Sequence, residues 1–215
     1  MAQAAAPATI VEIDTPHGPA RAHLEAAESP LAALVLGHGA GGGIAAPDLV
    51  AARRAALGQR VSVALVEQPY RVAGRKSPAP GAQLDVAWRT VVERLRSHEL
   101  DRLPLIVGGR SAGARVACRT AADTEAIAVL CLAFPLQPPR RSAESPSRLP
   151  ELELVTVPVL VVQGLGDPFG MPPPGPHRSV VQVAGNHSLR SDLGAVTSAV
   201  ADWLGQVLDL AGPAR

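Results

Sequence analysis

From Leu105 to Val107 the chain is apolar; it then passes through Gly108-Gly109-Arg110-Ser111-Ala112-Gly113-Ala114-Arg115. A short strand-like run closes in glycines, turns through one serine between small residues, and enters a segment able to continue as helix. Gly109-Arg110-Ser111-Ala112-Gly113 fits G-x-S-x-G, the nucleophile elbow, a strained strand-to-helix turn that exposes a serine hydroxyl. The spacing has a mechanical origin. A strained serine draws together the backbones two residues to either side, so those positions must carry almost no side chain. Five residues of common types also recur by chance. The pattern constrains the fold only where the rest of the chain supplies alternating strands and helices and partners for the serine.

The chain alternates in this way. Residues 1–8 read as a frayed tail, and residues 9–215 as one domain. Thr9 to Asp14 and Ala20 to Ala26 flank a turn at Thr15–Pro19, and Val11 and Ile13 alternate with Glu12 and Asp14, which predicts an edge β-hairpin. Leu31–Leu36, Val61–Val66, Leu105–Val107, Ile127–Phe134 and Val157–Val162 are continuous apolar runs, as expected of strands covered on both faces. Ser179–Val183 reads as the last strand. Helices are expected from Pro47 to Gly58, through Leu84, Ala87, Trp88, Val91, Val92 and Leu95, from about Ala112 to Ala122, and from Leu193 to Leu208. Arg71–Gly81 and Gln137–Pro150 are rich in proline and basic residues and read as irregular. The predicted class is α/β: a mostly parallel sheet of about eight strands, the second antiparallel, with helices on both faces. The connection Gln137–Thr156 is too short for a lid domain.

In such sheets, reactive groups gather beyond the carboxyl ends of the strands. Ser111, Asp167 and His187 each follow a predicted strand, in the order Ser…Asp…His that suits this elbow. His187 would take the serine proton and return it to the leaving group, and Asp167 would hold the imidazole tautomer. The strand ending at Phe134 is followed by Pro135-Leu136-Gln137-Pro138, which offers no rival acid. The oxyanion donors are expected at the backbone N–H of Ala112 and, from the loop Gly37–Gly43, of Ala40. His38 reads as a structural ring beneath that loop. Arg71 and Arg75 are candidates for holding a carboxylate or phosphate on a substrate; Arg110 is either a structural ion-pair partner or a rim residue.

Gly37-His38-Gly39-Ala40-Gly41-Gly42 also satisfies G-x-G-x-x-G, and Glu67 ends the following strand. A dinucleotide-binding alternative using Gly37, Gly39 and Gly42 follows from that pattern. It leaves Ser111, Asp167 and His187 unexplained.

A net charge of +1 gives no electrostatic attraction to nucleic acid or to an anionic membrane. Met1 to Ile13 has no basic n-region, and no apolar stretch approaches the ~20 residues of a membrane span, so a cytoplasmic protein is expected. Cys118 and Cys131 have neither zinc-site nor redox-pair spacing and read as inert buried thiols. Neither metal nor cofactor is called for. The oligomeric state is left open.

Over nearly its full length the chain resembles the α/β-hydrolase superfamily, through Gly37–Gly43, Gly108–Arg115, Gly164–Pro168 and Gly185–Ser188. With Glu67–Arg75, the elbow segment is similar to a small, lidless dienelactone-hydrolase-like branch. That branch includes the hydrolase-like domain of a non-specific-lethal complex subunit and its testis-expressed relatives. Dienelactone hydrolases proper carry a cysteine nucleophile where this chain has Ser111, so their substrate is not implied. The resemblance implies a serine hydrolase with Ser111, Asp167 and His187 as triad, acting on a small ester or thioester. The competing class is a non-catalytic interaction module on the same fold.

Overall fold

The computed structural model describes residues 8–138 and 146–211. Most of the expected N-terminal tail and part of the Gln137–Pro150 segment therefore lie outside the described residues. The described elements are β1 (Thr9–Thr15), β2 (Gly18–Glu25), β3 (Ala32–Gly37), α1 (Pro47–Gly58), β4 (Val61–Glu67), α2 (Pro69–Val72) and α3 (Gly81–Arg96). They continue with β5 (Leu105–Arg110), α4 (Ala112–Thr120), β6 (Ala128–Leu132), α5 (Leu149–Glu153), β7 (Val159–Gly164), β8 (Arg178–Val183) and α6 (Leu193–Ala211). The strands form one eight-stranded sheet in the order β1-β2-β4-β3-β5-β6-β7-β8. β2 runs antiparallel to both neighbours and every other pairing is parallel.

The central strands are continuous apolar runs because both of their faces are covered. Along β3, Ala33 and Val35 face one core while Ala32, Leu34 and Leu36 face the other; β4 divides Ala64 and Val66 from Val61, Val63 and Leu65. The first core is closed by Trp88 and the apolar face of α3, together with α4. The second is closed by α1 and α6, with Leu49, Val200 and Trp203 in it. The period of two in the strands thus meets helices on both sides.

Two short helices depart from the sequence expectation. α2, four residues with Pro69 in its first turn, and α5, five residues around Pro150, fall in or beside segments that read as irregular. Elements of about one turn are too short to show a periodicity, although proline suits their first turn. The cysteines also differ from expectation in one respect. They are buried free thiols, but α4 packs back across β6 and brings their Sγ atoms to 3.5 Å. The hydrogen bond with Cys118, and then burial, push the Cys131 thiol well above its ordinary pKa. It therefore stays protonated and unreactive. Among the described residues no helix is long and apolar enough to cross a membrane.

Candidate active site

β3 sends its chain to β4 on one side and pairs with β5 on the other, so the strand order reverses between β3 and β5. Crevices in open α/β sheets form at such a point, beyond the carboxyl ends of the strands. The glycine loop after β3 and the elbow after β5 meet here. Ser111 has φ +52° and ψ −108°, a strained conformation for a residue with a side chain. Its flanking glycines are required by close approach. A Cβ on Gly109 would stand 2.5 Å from the Gly37 oxygen, and one on Gly113 would stand 2.5 Å from the Gly37 carbonyl carbon.

The three residues expected to act together are brought together. The Ser111 hydroxyl donates to His187 Nε2 at 2.9 Å, and His187 Nδ1–H donates to Asp167 Oδ2 at 2.8 Å. A carboxylate can only accept, so the proton sits on Nδ1 and Nε2 is free to receive the serine proton. Asp167 follows β7 and His187 follows β8, so loops from three parallel strands converge.

The carboxylate of Asp167 is almost wholly buried and well furnished with donors. The Phe169 N–H reaches its Oδ1 at 2.9 Å, and Gln163 Nε2 reaches its Oδ2 at 2.9 Å. Gln163 is itself fully buried in β7, and its amide nitrogen also meets the carbonyls of Phe134 at 3.0 Å and Gly170 at 2.9 Å. The Phe169 ring packs against the His187 ring, centroids 4.3 Å apart. Sequence reasoning named neither residue. The available signals were a polar side chain interrupting the buried run Val159–Gly164, and one of two phenylalanines in the chain two residues beyond the acid.

The loop Gly37–Gly43 is braced from the end of β4. His38 donates Nδ1–H to the Gly39 carbonyl at 2.8 Å and accepts the Gln68 N–H at Nε2 over 3.2 Å. Both bonds need the neutral ring, and burial lowers its pKa. The Tyr70 hydroxyl donates to the Ala40 carbonyl at 3.3 Å. The N–H groups of Ala40 and Ala112 have no hydrogen-bond acceptor among the described residues. Glu67 is paired with His23 at 2.9 Å, and Gly37 is pressed under the elbow. The dinucleotide alternative is corrected on those grounds: its acid is engaged elsewhere and its first glycine packs against protein backbone.

A cleft of about 640 Å³ opens over Ser111 and His187, walled by Ala40–Gly43, Ala45–Asp48, Arg110 and Phe169, with Ser188 and Arg190 also in its wall. Arg71 reaches its border, where Nη2 would lie 3.7 Å from a Cβ on Gly43. Arg75 is exposed and lies outside the lining. Arg110 resolves as an ion-pair partner: its Nε binds the buried Asp48 at 2.8 Å. Asp48 too was absent from the sequence-level candidates.

The fold places the chain among known proteins. The family profile of the alpha/beta hydrolase domain matches residues 30–190, and the chain belongs to that family. Its fold is also that of a lidless α/β serine hydrolase from Xanthomonas campestris, with 20% identity over 92% of this chain and 95% of that one and a TM-score of 0.69. Est1E from Butyrivibrio proteoclasticus aligns at 15% identity over 93% and 99% of the two chains, TM-score 0.76. A dienelactone hydrolase from Anabaena variabilis aligns at 14% over 93% and 97%, TM-score 0.74. A search of curated protein sequences finds no match.

Proposed function

We propose that the protein is a serine hydrolase of small esters or thioesters, working through an acyl-Ser111 intermediate. The observation that carries this reading is the Ser111–His187–Asp167 relay, 2.9 and 2.8 Å, mounted on a strained elbow at the floor of a cleft. Ser111 Oγ attacks the substrate carbonyl carbon while its proton passes to His187 Nε2. The imidazolium that forms is stabilised by the Asp167 carboxylate. The carbonyl oxygen, now negative, is received by the N–H groups of Ala40 and Ala112, the second at the start of α4. One such donor is typically worth about 10²–10³ in turnover. Collapse expels the alcohol or thiol, which takes the proton from His187. Water then attacks the acyl-serine with His187 again as base, releasing the acid and restoring Ser111.

Small residues form much of the cleft wall, and Phe169 is the large apolar side chain in it. This favours small or externally presented acyl esters and thioesters over long buried chains. Arg190 in the wall and Arg71 at the border are the groups available to an anionic substituent, with Arg75 further out. The protein is read as cytoplasmic, with no nucleic acid or membrane among its partners.

Labelling with a fluorophosphonate probe tests the reading. Folded wild-type protein is expected to label, and Ser111→Ala to lose the label. Absence of labelling on folded wild type, or equal labelling of the variant, removes the catalytic reading and favours an interaction module. A panel of p-nitrophenyl esters and acyl-thioesters of graded length then fixes the substrate class.

A further inference from the structure

Of the five elbow residues, only Arg110 has a long side chain, and it crosses the site rather than leaving it. Its Nε donates to Asp48 Oδ2 at 2.8 Å, and its Nη2 donates to the His187 carbonyl at 3.0 Å. Asp48 lies in the first turn of α1 with its side chain wholly buried, and its other oxygen accepts the Leu49 N–H at 3.0 Å. The guanidinium also occupies the space beside Gly39, where a Cβ would stand 2.7 Å from Nη1. One side chain therefore touches the oxyanion loop, α1 and the loop of the base.

The base loop is otherwise bonded to its own side of the sheet. Gly166 N–H binds the Gly185 carbonyl at 2.8 Å, Leu189 N–H binds the Asn186 carbonyl at 3.0 Å, and the ring binds Asp167. Among the described residues, the hydrogen bonds that cross from residues 184–190 to the elbow are the Arg110–His187 bond and the Ser111–His187 contact itself. A buried ion pair is a weak source of net stability, because desolvation offsets the attraction. What it supplies is direction. A planar guanidinium fixed at one edge on a buried anion presents its remaining donor at a set place.

Resting on the serine-hydrolase reading, we propose that Arg110, anchored on Asp48, is a positioning residue that sets His187 against Ser111 and holds Gly39–Ala40 beside both. Truncating either member alone strands a buried charge and risks unfolding. The informative variant is therefore Asp48→Leu with Arg110→Met, which removes both charges together and keeps apolar bulk. In histidine-¹⁵N-labelled protein, the difference in His187 Nε2 shift between wild type and Ser111→Ala calibrates the serine–imidazole hydrogen bond. In the double variant that shift is expected to move at least halfway towards the Ser111→Ala value. With p-nitrophenyl acetate, kcat is expected to fall about 10- to 100-fold, the scale of a sub-ångström to ångström misplacement, with KM within about threefold. Arg110→Lys, one point donor in place of a fork, is expected to fall between. A folded double variant with wild-type Nε2 shift and wild-type kcat overturns the proposal, as does a loss confined to KM. Wild-type protein that turns over no ester, while the shift moves as stated, removes the hydrolase reading and leaves the positioning role standing.

Discussion

Adding one methyl group at two different glycines should have opposite effects, and the structure sets the size of each. At Gly113 a Cβ would stand 2.5 Å from the Gly37 carbonyl carbon and 2.9 Å from the His38 oxygen, against the 3.4 Å at which ordinary contact begins. Relief needs the first turn of α4 to move about 0.9 Å from the end of β3, the difference between 3.4 and 2.5 Å. Gly37 has little freedom to yield, since it is paired with Val66 on one side and Gly109 on the other. Overpacking against backbone that cannot relax costs about 3 kcal/mol, the upper end of the usual range. For a domain of this size, that lowers Tm by roughly 6–12 °C. The same displacement stretches the 2.9 Å Ser111–His187 contact beyond hydrogen-bond length. On the order of 1 Å of misplacement costs about 10²-fold in rate. Gly205 lies within α6 with nothing near its Cβ position, so Gly205→Ala should stabilise by about 0.5–1 kcal/mol through backbone entropy and raise Tm by roughly 1–4 °C. Thermal melts by circular dichroism and fluorophosphonate labelling rates read both effects. Gly113→Ala melting within about 2 °C of wild type and labelling at the wild-type rate would refute the steric account of the elbow.

Gln163→Leu removes a hydrogen bond to a buried carboxylate, and should lower stability by about 2–3 kcal/mol in urea melts and kcat by roughly tenfold. Gln163→Glu, which sets a second carboxyl group against Asp167, should lower kcat further still. Wild-type kcat in both variants would show that Asp167 needs no such support. His187→Ala should abolish p-nitrophenyl acetate turnover with Tm within a few degrees, because the ring is part-exposed; a large fall in Tm would instead mark it as a packing residue. Burial lowers the His38 pKa below its ordinary 6.5, so the unfolded chain takes up the proton first. That contribution to stability is present above pH 6.5 and is lost as pH falls through the lowered folded-state value. Urea melts from pH 8 to pH 5 should show the decline, and His38→Gln should flatten it; equal slopes would place the acid sensitivity elsewhere.

The parts of this fold legible from sequence are those whose causes are local. Strands β3 to β7 announce themselves because burial on both faces demands unbroken apolar runs. The elbow glycines are legible because the strain they relieve lies two residues away. The order of Ser111, Asp167 and His187 is legible because each follows a strand end. The missed features depend on how distant segments dock. Nothing in Pro47-Asp48 foretells that α1 presents its aspartate to Arg110, and nothing in the spacing of Cys118 and Cys131 foretells that α4 lays one thiol on the other. Gln163 is visible as a polar residue in an apolar run, but its partner is fixed by the turn that brings Asp167 back over β7.

The contact of Gly37 with Gly109 and Gly113 has a consequence for how reactivity arises. The floor of the elbow is not made by its own five residues alone, because a neighbouring strand from a distant part of the chain forms part of it. A partly folded molecule can have a formed α4 and still lack the turn that exposes Ser111. On the serine-hydrolase reading, reactivity thus belongs to the assembled centre of the sheet. A covalent serine probe applied during refolding would count molecules in which β3 and β5 have already joined, and would pass over the rest.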